Sequence, residues 1–269
     1  MKLKLYILAF LISLGATAKP DNSESSKPSG SQSASATQVI SDAKELADKA
    51  YAAERYEEAV KHYLSLTQQG EDANICYNLG NCYYRLDDIA HAILWYERAF
   101  LLSPGDGDIR HNLQLARSKT IDKIVPEEEI FFVVWYHSLL NVMSVNAWVL
   151  TGIILFALAL SSLFVFFFSQ TIKLRKIGFY GAIGMFLLAV CSNIFALQQH
   201  RRSQTRDRAI VLQGSVVVKS TPAQGGTDLF LLHAGTTMQI LDNSMKEWYQ
   251  IRLSDGKEGW IPVASIETI

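Results

Sequence analysis

The spacing of apolar residues changes several times along the chain. Over residues 38–120, apolar and alanine residues recur every three or four positions, which predicts amphipathic α-helices. Two long apolar runs follow, and from residue 209 short apolar segments with alternating character predict β-strands. The pattern therefore predicts a helical region, a pair of apolar helices and a small β domain, in that order.

The N-terminus has the order of a secretory signal. Two lysines precede an apolar run that ends in Ala16-Thr17-Ala18, the small residues that suit cleavage. We predict a signal peptide over residues 1–18, with an uncleaved membrane anchor as the alternative. Residues 19–37 are rich in serine and almost lack apolar side chains, so they predict a disordered tether.

Residues 38–120 contain a motif that repeats after 33 or 34 positions. Small residues recur where the two helices of one repeat approach closely, large residues recur where the next helix leaves a groove, and a proline ends the second helix. The predicted fold determinants are Leu46, Ala47, Ala59 and Tyr63 in the first repeat and Leu79, Gly80, Tyr83, Ala92, Tyr96, Ala99 and Pro104 in the second. The pattern resembles the tetratricopeptide repeat, whose stacked helix hairpins form a concave face that receives a peptide or a partner helix.

The second repeat fits this pattern better than the first. In the first repeat Glu71 occupies the proline position and Ala50 occupies a tyrosine position. Leu113 lies 34 residues after Leu79 and opens an incomplete third unit, whose helix we expect Asp108 to cap. An ordinary helical bundle is the alternative interpretation of this segment.

Two segments are long and apolar enough to cross a bilayer. Residues 148–168 and 177–197 carry no formal charge, and at about 1.5 Å per residue each covers roughly 30 Å, the thickness of the hydrocarbon core. The loop between them, residues 169–176, carries three cations and is expected to be cytoplasmic. Four arginines in the basic linker at 198–208 oppose this orientation, whereas the export signal favours it.

The linker before the first span, residues 121–147, contains an aromatic segment at 130–146. This segment is too short and too polar for a third span, so we expect a helix lying on the outer leaflet. An inserted helix is the alternative, and it would put the two folded domains on opposite sides. The preferred topology is a two-pass protein of the bacterial inner membrane with both folded domains in the periplasm.

Short apolar segments separated by turn residues fill positions 209–269. Asp255-Gly256 between two of them is a strong hairpin signal. Five or six strands in about sixty residues can close only a small barrel. His233 is expected simply to flank a turn.

The C-terminal segment resembles bacterial SH3 domains in three sequence blocks, LHAGT at 232–236, WYQI at 248–251 and DGKEGWIP at 255–262. One face of such barrels carries aromatic residues that can dock an extended peptide. Trp248, Tyr249 and Trp260 are the candidates for this face, and a core position for Trp260 is the alternative. We therefore expect a small all-β SH3-like barrel with a ligand face.

Composition and motifs give no indication of catalysis. Charged residues make up only 19% of the chain and the net charge is −1, so no global field would attract nucleic acid. The three cysteines, Cys76, Cys82 and Cys191, lack the spacing of a disulfide framework or a metal site. No nucleophile-elbow, zincin or phosphate-loop motif occurs. We predict no catalytic residue, no metal, no cofactor and no enzymatic activity.

The order of signal, tetratricopeptide repeats, two spans and terminal SH3-like barrel resembles the BatE-type proteins of the Bacteroides aerotolerance (Bat) group. The resemblance rests on architecture and covers nearly the whole chain after the tether. It implies an inner-membrane component of a system linked to oxygen tolerance or oxidative and envelope stress. The partners it implies are sibling Bat proteins with von Willebrand A domains and an associated MoxR-type ATPase.

The sequence thus predicts a multidomain membrane protein with an all-α repeat domain, two transmembrane helices and a C-terminal all-β barrel. Its predicted function is that of a non-enzymatic scaffold or adaptor for protein–protein interactions. Two alternatives stay open: an accessory protein that binds peptidoglycan, and an accessory subunit of an envelope transport complex.

Overall fold

The computed structural model describes residues 42–68, 70–127, 130–205 and 207–269. The predicted signal peptide and tether lie outside the described residues. Eight helices are described: α1 at 42–52, α2 Tyr56–Thr67, α3 Ala73–Arg85, α4 Ile89–Leu102, α5 Gly107–Ser118, α6 Phe131–Leu140, α7 Val145–Phe168 and α8 Ile172–Gln204.

Three of the repeat helices have an aspartate as the N-cap. Asp72 accepts from the backbone N–H groups of the first turn of α3, and Asp88 does the same for α4. The prediction that Asp108 caps α5 is wrong. The cap is Asp106, which has an extended backbone and accepts from the N–H of Asp108 at 2.9 Å, whereas Asp108 already lies in the first helical turn.

Close approach of helices α3 and α4 depends on a small residue at their contact. A Cβ added to Gly80 would lie 2.5 Å from the ring of Tyr96, which is only 1% exposed. Of the predicted fold determinants, those that are buried are Ala47, Ala59, Tyr63, Leu79, Gly80, Ala92, Tyr96, Ala99 and Pro104, and Tyr83 is half-buried. The helical region therefore folds as tightly packed hairpins.

Leu46 departs from the predicted set because its side chain is 52% exposed. Ala47 and Ala50 supply the buried contact of α1 instead. These two alanines are three positions apart and share one face of the helix, and Leu46, four positions before Ala50, lies at the edge of that face.

Helices α7 and α8 form a hairpin held by small residues. Ala182, Ala189 and Ala196 recur every seventh position on α8 and are buried, and Gly152 and Ala159 are the buried residues of α7. Heptad spacing of small residues allows two long helices to pack closely with a slight left-handed crossing. Most large apolar side chains of both helices point outward and are exposed. Within the described residues, Val145–Phe168 and Ile172–Arg202 are the two helices long and apolar enough to cross a membrane.

The boundaries of this hairpin differ from the expected ones. The connection is residues 169–171 and not 169–176, because no residue after Ile172 breaks the helix and the three cations fall in the first turns of α8. At the other end α8 continues to Gln204, so most of the expected basic linker at 198–208 is helical. Helix α7 begins three residues earlier than expected, where Ser144 caps it.

The aromatic segment before α7 forms the helix α6. Phe131, Phe132 and Trp135 on this helix are more than half exposed. At its C-terminal end, Tyr136 meets the ring of Phe195 on α8 edge-on, at a centroid distance of 6.2 Å. Helix α6 therefore lies beside the final turns of α8 and presents an apolar, aromatic surface.

The C-terminal region is a seven-stranded antiparallel sheet with the strand order β3-β2-β6-β5-β4-β1-β7. The strands are β1 Arg208–Val211, β2 Ser215–Lys219, β3 Asp228–His233, β4 Thr237–Asp242, β5 Trp248–Arg252, β6 Glu258–Pro262 and β7 Ile266–Thr268, with a 3₁₀ turn at Val263–Ser265. The predicted Asp255-Gly256 hairpin joins β5 to β6, and Gly256 has the positive φ of 81° that this turn requires. The strands and turns agree with an SH3-like fold.

The repeat helices and the sheet share a hydrophobic core. Buried residues of α4 and α5, including Ile93 and Leu113, pack with Ile210 of β1 and with Ile269 after β7. Burial of apolar surface across this contact stabilises it by about 25 cal/mol per Å². The repeats and the sheet are in contact, and they therefore lie on the same side of any membrane that α7 and α8 cross.

Candidate functional site

A polar stripe follows the first helix of each repeat hairpin. On α3, residues 74, 78, 81 and 85 are spaced at intervals of four, three and four, so they lie on one face. The positions 33 or 34 residues away on α1 and α5 continue the stripe. We call this surface the groove face and define it by Asp48, Asn74, Asn78, Asn81, Arg85, Asn112 and Leu115.

Two tyrosines of the second helices hold the stripe in place. Tyr96 on α4 donates a hydrogen bond to Asn81 Oδ1 at 2.7 Å. Thirty-three residues earlier, Tyr63 on α2 donates to Asp48 Oδ1 at 2.5 Å. Burial is the main cause that raises the pKa of both phenols, so both remain protonated donors at neutral pH. The same bond therefore recurs with the period of the repeat.

Side-chain amides connect neighbouring repeats across the groove face. Asn78 Nδ2 on α3 donates to the Tyr63 hydroxyl at 3.2 Å. Asn112 Nδ2 on α5 donates to the Tyr77 hydroxyl at 2.9 Å and to Asn81 Oδ1 at 3.0 Å. These bonds fix the asparagine side chains before any ligand arrives, which lowers the entropy cost of binding.

The groove face combines amide and cationic groups with the carboxylate of Asp48, and two tyrosines adjoin it through Asn112 and Arg85. Tyr51 and Tyr77 are half-buried, and Asn74 and Arg85 are exposed. A hydrogen bond with Tyr51 raises the pKa of the Arg85 guanidinium. Asparagine amides can both donate to and accept from a peptide backbone, and an exposed guanidinium pairs with a carboxylate. The surface therefore suits an extended peptide that carries an acidic group.

The three aromatic residues predicted for the barrel's ligand face do not share one side of the sheet. Trp248 pairs with Pro262 while Gln250 pairs with Trp260, so both tryptophans lie on the same side of β5 and β6. Tyr249 pairs with Ile261 and packs against the core of the sheet. This corrects the predicted trio, because neighbouring residues of a strand point to opposite sides.

The two tryptophans also differ in accessibility. Trp248 is only 7% exposed, whereas Trp260 is partly exposed. A side chain that is already buried has little surface left for a ligand. Of the two tryptophans, Trp260 is therefore the one whose ring remains available.

A buried carboxylate joins the repeats to the sheet. Glu97 of α4 is 0% exposed and accepts from Arg117 of α5. It also accepts from Arg208 of β1, through Nη1 at 3.1 Å and Nη2 at 3.3 Å. The next residue, Arg98, donates to the carbonyl of Thr268 at 2.8 Å. A charge buried this deeply requires paired partners, so these contacts orient the sheet on the repeats.

The segment after α5 runs along the sheet as a strap, which we define as residues 119–127. Asp122 in this strap accepts from the backbone N–H of His233 at 2.7 Å and from the Thr236 hydroxyl at 2.6 Å, and it lies 2.7 Å from His233 Nδ1. Burial alone would raise the pKa of Asp122, but these hydrogen bonds outweigh it and hold the pKa below its ordinary value. Further along, Glu127 N–H donates to the carbonyl of Ser254 at 2.8 Å.

His233 therefore does more than flank a turn, which was the only role that the sequence predicted for it. Glu97, Arg208 and Asp122 were also missed, because the partners of each contact are far apart in sequence. Glu97 offered one signal: it is a single carboxylate among apolar residues of a helix, and such a residue is seldom buried without a partner.

A polar crevice lies where the sheet, α4 and the end of α8 meet. Its volume is about 360 Å³, and it is lined by residues that include Arg202, Arg208 and Arg252. A smaller cavity of about 20 Å³ adjoins it and shares Arg202 and Arg208. The buried Gln199 Oε1 lines this smaller cavity and has no protein hydrogen-bond partner among the described residues. The space suits a single water molecule that donates a hydrogen bond to Gln199 Oε1.

In the described part of the chain, no group of three or more histidine, cysteine or carboxylate side chains could hold a metal ion.

Comparison with known families identifies the two folded parts. Residues 73–106 match the tetratricopeptide repeat, and they correspond to α3, α4 and the turn that follows. Residues 214–267 match the bacterial SH3 domain, and they span β2 to β7. No curated protein sequence matches the chain.

The chain thus combines a helical region with a tetratricopeptide repeat, two helices that could span a membrane, and a bacterial SH3-like sheet. Both families are typically non-catalytic interaction domains. Their presence points to the binding of proteins or of peptidoglycan.

Proposed function

We propose that this protein is a membrane-anchored adaptor of the bacterial envelope whose groove face binds an extended segment of a partner protein. The observation that carries the proposal is the set of pre-positioned amides on α3 and α5, held by Tyr77 and by the phenol of Tyr96. Repeat helices commonly present such a face to a peptide or helix.

The position of the sheet supports this use of the groove face. The polar contacts of the sheet with the repeats come from Glu97 and Arg98 of α4, from Arg117 through Glu97, and from the strap. Its apolar contacts come from α4 and from the buried Leu113 of α5. Helix α4 is a second helix of its hairpin, whereas the groove face belongs to the first helices. The sheet therefore braces the repeats from the opposite side and leaves the groove face to a partner.

Periplasmic orientation is part of the proposal. The basic residues after the second span argued for the opposite orientation, because cations flanking a span favour the cytoplasm. Arg208 is paired with the buried Glu97, so its charge is compensated within the folded unit. The cations at the start of α8, Lys173, Arg175 and Lys176, have no such buried partner among the described residues. This difference favours a cytoplasmic turn between α7 and α8, with the predicted export signal in agreement.

The resemblance to BatE-type proteins supplies candidate partners. Under this proposal the adaptor acts in the Bat system, in oxygen tolerance or oxidative stress, beside von Willebrand A-domain proteins and a MoxR-type ATPase. The matched families support interaction in general, and the identity of these partners comes from the architectural resemblance alone.

Site-specific cross-linking in cells tests the groove. A photoreactive amino acid is placed at Asn74, which is exposed on the groove face, or at Lys61, which is exposed on the second helix α2 and serves as the matched control. We expect the Asn74 variant to cross-link to a von Willebrand A-domain protein and the Lys61 variant not to. Adding Arg85→Glu should reduce the cross-link. Equal yields from both positions would show that the groove face is not the binding surface.

Peptidoglycan binding is the second candidate function, and the match to bacterial SH3 domains favours it. The isolated segment 209–269 is unsuitable for a binding assay, because removing the repeats exposes Ile210 and Ile269. Full-length protein in mild detergent should instead be sedimented with purified sacculi, comparing wild type with Trp260→Ala. Retention that depends on Trp260 would favour wall binding as the function of the barrel.

The proteins that copurify with this protein distinguish the adaptor proposal from an accessory role in an envelope transport complex. Purification of the native complex in mild detergent should recover Bat-type partners if the adaptor proposal holds. Recovery of a transporter in their place would contradict it.

A further inference from the structure

The crevice at the junction of sheet, α4 and α8 has the size and position of a small-ligand site. Its volume of about 360 Å³ falls in the range of ligand pockets, which are about 300–1,000 Å³ and often lie at domain boundaries. Arg202 comes from α8, Arg208 from β1 and Arg252 from β5. Three separate elements thus each contribute an arginine to the lining of the crevice.

The charges around the crevice are not balanced within it. Arg208 is committed to Glu97, and Arg252 uses Nε and Nη2 for Glu258. The guanidinium group of Arg202 contacts His137 Nδ1 at 3.5 Å, and the contacts described for it include no carboxylate. Asp207 is the one acidic side chain that lines the crevice among the described residues. An anion is therefore the ligand that this site favours.

Hydrogen-bond donors complete the lining. Thr237 and Ser254 also line the crevice and carry hydroxyl groups, whereas the hydroxyl group of Thr205, a third lining residue, already donates to the carbonyl of Arg202 at 3.2 Å. Guanidinium forks and hydroxyl groups are the donors that bind the oxygens of a phosphate. A phosphate group fits this donor set because its several oxygens can each accept from a different donor.

The crevice also lies at the end of a candidate membrane span. Arg202 is the last residue of the span Ile172–Arg202. Gln199, one turn before it, donates to the carbonyl of Met143 next to α7, and the aromatic helix α6 packs beside it. Cationic and aromatic residues at the end of a span lie at the level of the lipid headgroups.

We propose that this crevice binds the phosphate of an anionic lipid headgroup, with Arg202 and Arg252 as its principal contacts. Such binding would fix the repeat–sheet unit at a defined height and orientation on the membrane. It would also explain why arginines remain at this end of α8, where the positive-inside rule disfavours them if the end faces the periplasm. A soluble phosphate ester shares the same chemistry, and the experiment separates the two sources.

The test uses full-length protein in mild detergent, analysed by native mass spectrometry after addition of phosphatidylglycerol or phosphatidylcholine. The double variant Arg202→Gln and Arg252→Gln is compared with a matched control, Arg201→Gln and Lys246→Gln. Both control residues are exposed and neither lines the crevice. Each double variant removes two positive charges, so a change confined to the first reports the site and not the net charge.

We expect the wild type and the control to retain phosphatidylglycerol in preference to phosphatidylcholine, and the crevice variant to bind it about tenfold more weakly. Glycerol phosphate is added in a separate arm. Displacement of the lipid only by a large excess of glycerol phosphate supports a lipid headgroup, whereas tight binding of glycerol phosphate itself supports a soluble ester. Equal retention by the two double variants, or no preference for the anionic lipid, would overturn the proposal. Carbonate extraction of the same membranes shows that the variants are still inserted, so a binding loss is separable from a failure of membrane anchoring.

Discussion

Arg208 at the start of the sheet reaches Glu97 in the second repeat, with Nη1 3.1 Å from Oε2, although 111 residues separate them in sequence. Glu97 has no exposed surface, while Arg208 and Arg117 keep 29% and 45% of their side-chain surface. A carboxylate buried in this way is tolerated only while its cationic partners remain. The pair therefore couples the folding of the repeats to the docking of the sheet.

Replacement of Glu97 by alanine should loosen this junction. The change leaves two arginines without their partner and opens space in the shared core, at a cost of about 2 kcal/mol. Thermal unfolding in mild detergent, followed by tryptophan fluorescence, should show a Tm lower by about 4–8 °C. Glu58→Ala removes a surface ion pair with Arg55 and should leave the Tm nearly unchanged. A Glu97→Ala protein as stable as Glu58→Ala would show that the ion pair does not support the junction.

Gly80→Ala tests the close approach of α3 and α4. Alanine is favoured over glycine within a helix by about 1 kcal/mol, but the new Cβ would lie 2.5 Å from the buried ring of Tyr96. Because Tyr96 is also held by Asn81, the ring cannot move freely, and overpacking should cost about 1–3 kcal/mol. We expect a net loss of stability in chemical denaturation.

The control for this prediction is Gly107→Ala. Gly107 lies at the first position of α5, and an added Cβ would meet no atom within 4 Å. This substitution should be neutral or slightly stabilising. If Gly80→Ala behaves in the same way, the helices have room to separate and the packing argument is wrong.

Asp122→Asn should make the hold of the strap on the sheet less dependent on pH. The pKa of Asp122 is lower in the folded protein than its ordinary value of about 3.8. The charged carboxylate therefore contributes its full stability at pH values above 3.8, and this contribution is lost as the pH falls through the folded pKa. Wild type should therefore be more stable than the variant at pH 6, and the difference should shrink as the pH falls below about 3.8. The rate of proteolysis within the strap, compared between wild type and variant at a series of pH values, measures this difference in stability. A difference that stays constant from pH 6 to pH 3 would contradict this assignment.

The two tryptophans on one side of β5 and β6 should behave differently when truncated. Trp248→Ala removes a side chain that is 7% exposed and should cost about 3 kcal/mol or more. Trp260→Ala should cost clearly less, because the ring is partly exposed. Comparison of denaturation midpoints checks this order, and the reverse order would mean that Trp260 is the structural residue.

Cysteine labelling tests the topology on which the adaptor proposal depends. Single cysteines replace Lys61 on α2, Lys246 after β4 and Lys173 at the start of α8, three exposed positions. In intact spheroplasts, a membrane-impermeant maleimide should label positions 61 and 246, and it should label position 173 only after lysis. Labelling of 61 and 246 from opposite sides would contradict both the shared core and the proposed topology.

Local sequence patterns determine much of the fold. The 33-residue period predicts the repeat helices because each hairpin must bury the same small and large residues at the same positions, as Gly80 and Tyr96 do. Alternation and turn residues predict the strands, since Asp255-Gly256 can form its turn from local geometry alone. Helix ends are predicted less accurately, and Asp106 in place of Asp108 shows that several nearby aspartates can compete for one cap.

The candidate sites are only partly predictable from the sequence. The aromatic face of the barrel was misassigned at Tyr249, because the strand boundary and not the composition decides which side a residue faces. The amides of Asn78, Asn81 and Asn112 give no signal as isolated polar residues. They become a surface only when three helices stack and bring them into hydrogen-bonding distance.

The sequence by itself determined the order of the parts: repeat helices, two long apolar helices and a small antiparallel sheet. Each of these follows from contacts between residues close in the chain, or from an apolar length that is sufficient for a helix to cross a membrane. Tertiary structure alone decided that the sheet docks on α4, that Asp122 holds the strap, and that arginines of three elements surround one crevice. The first two of these relationships join residues 111 positions apart. No periodic pattern can encode a pairing that depends on how two completed surfaces fit together.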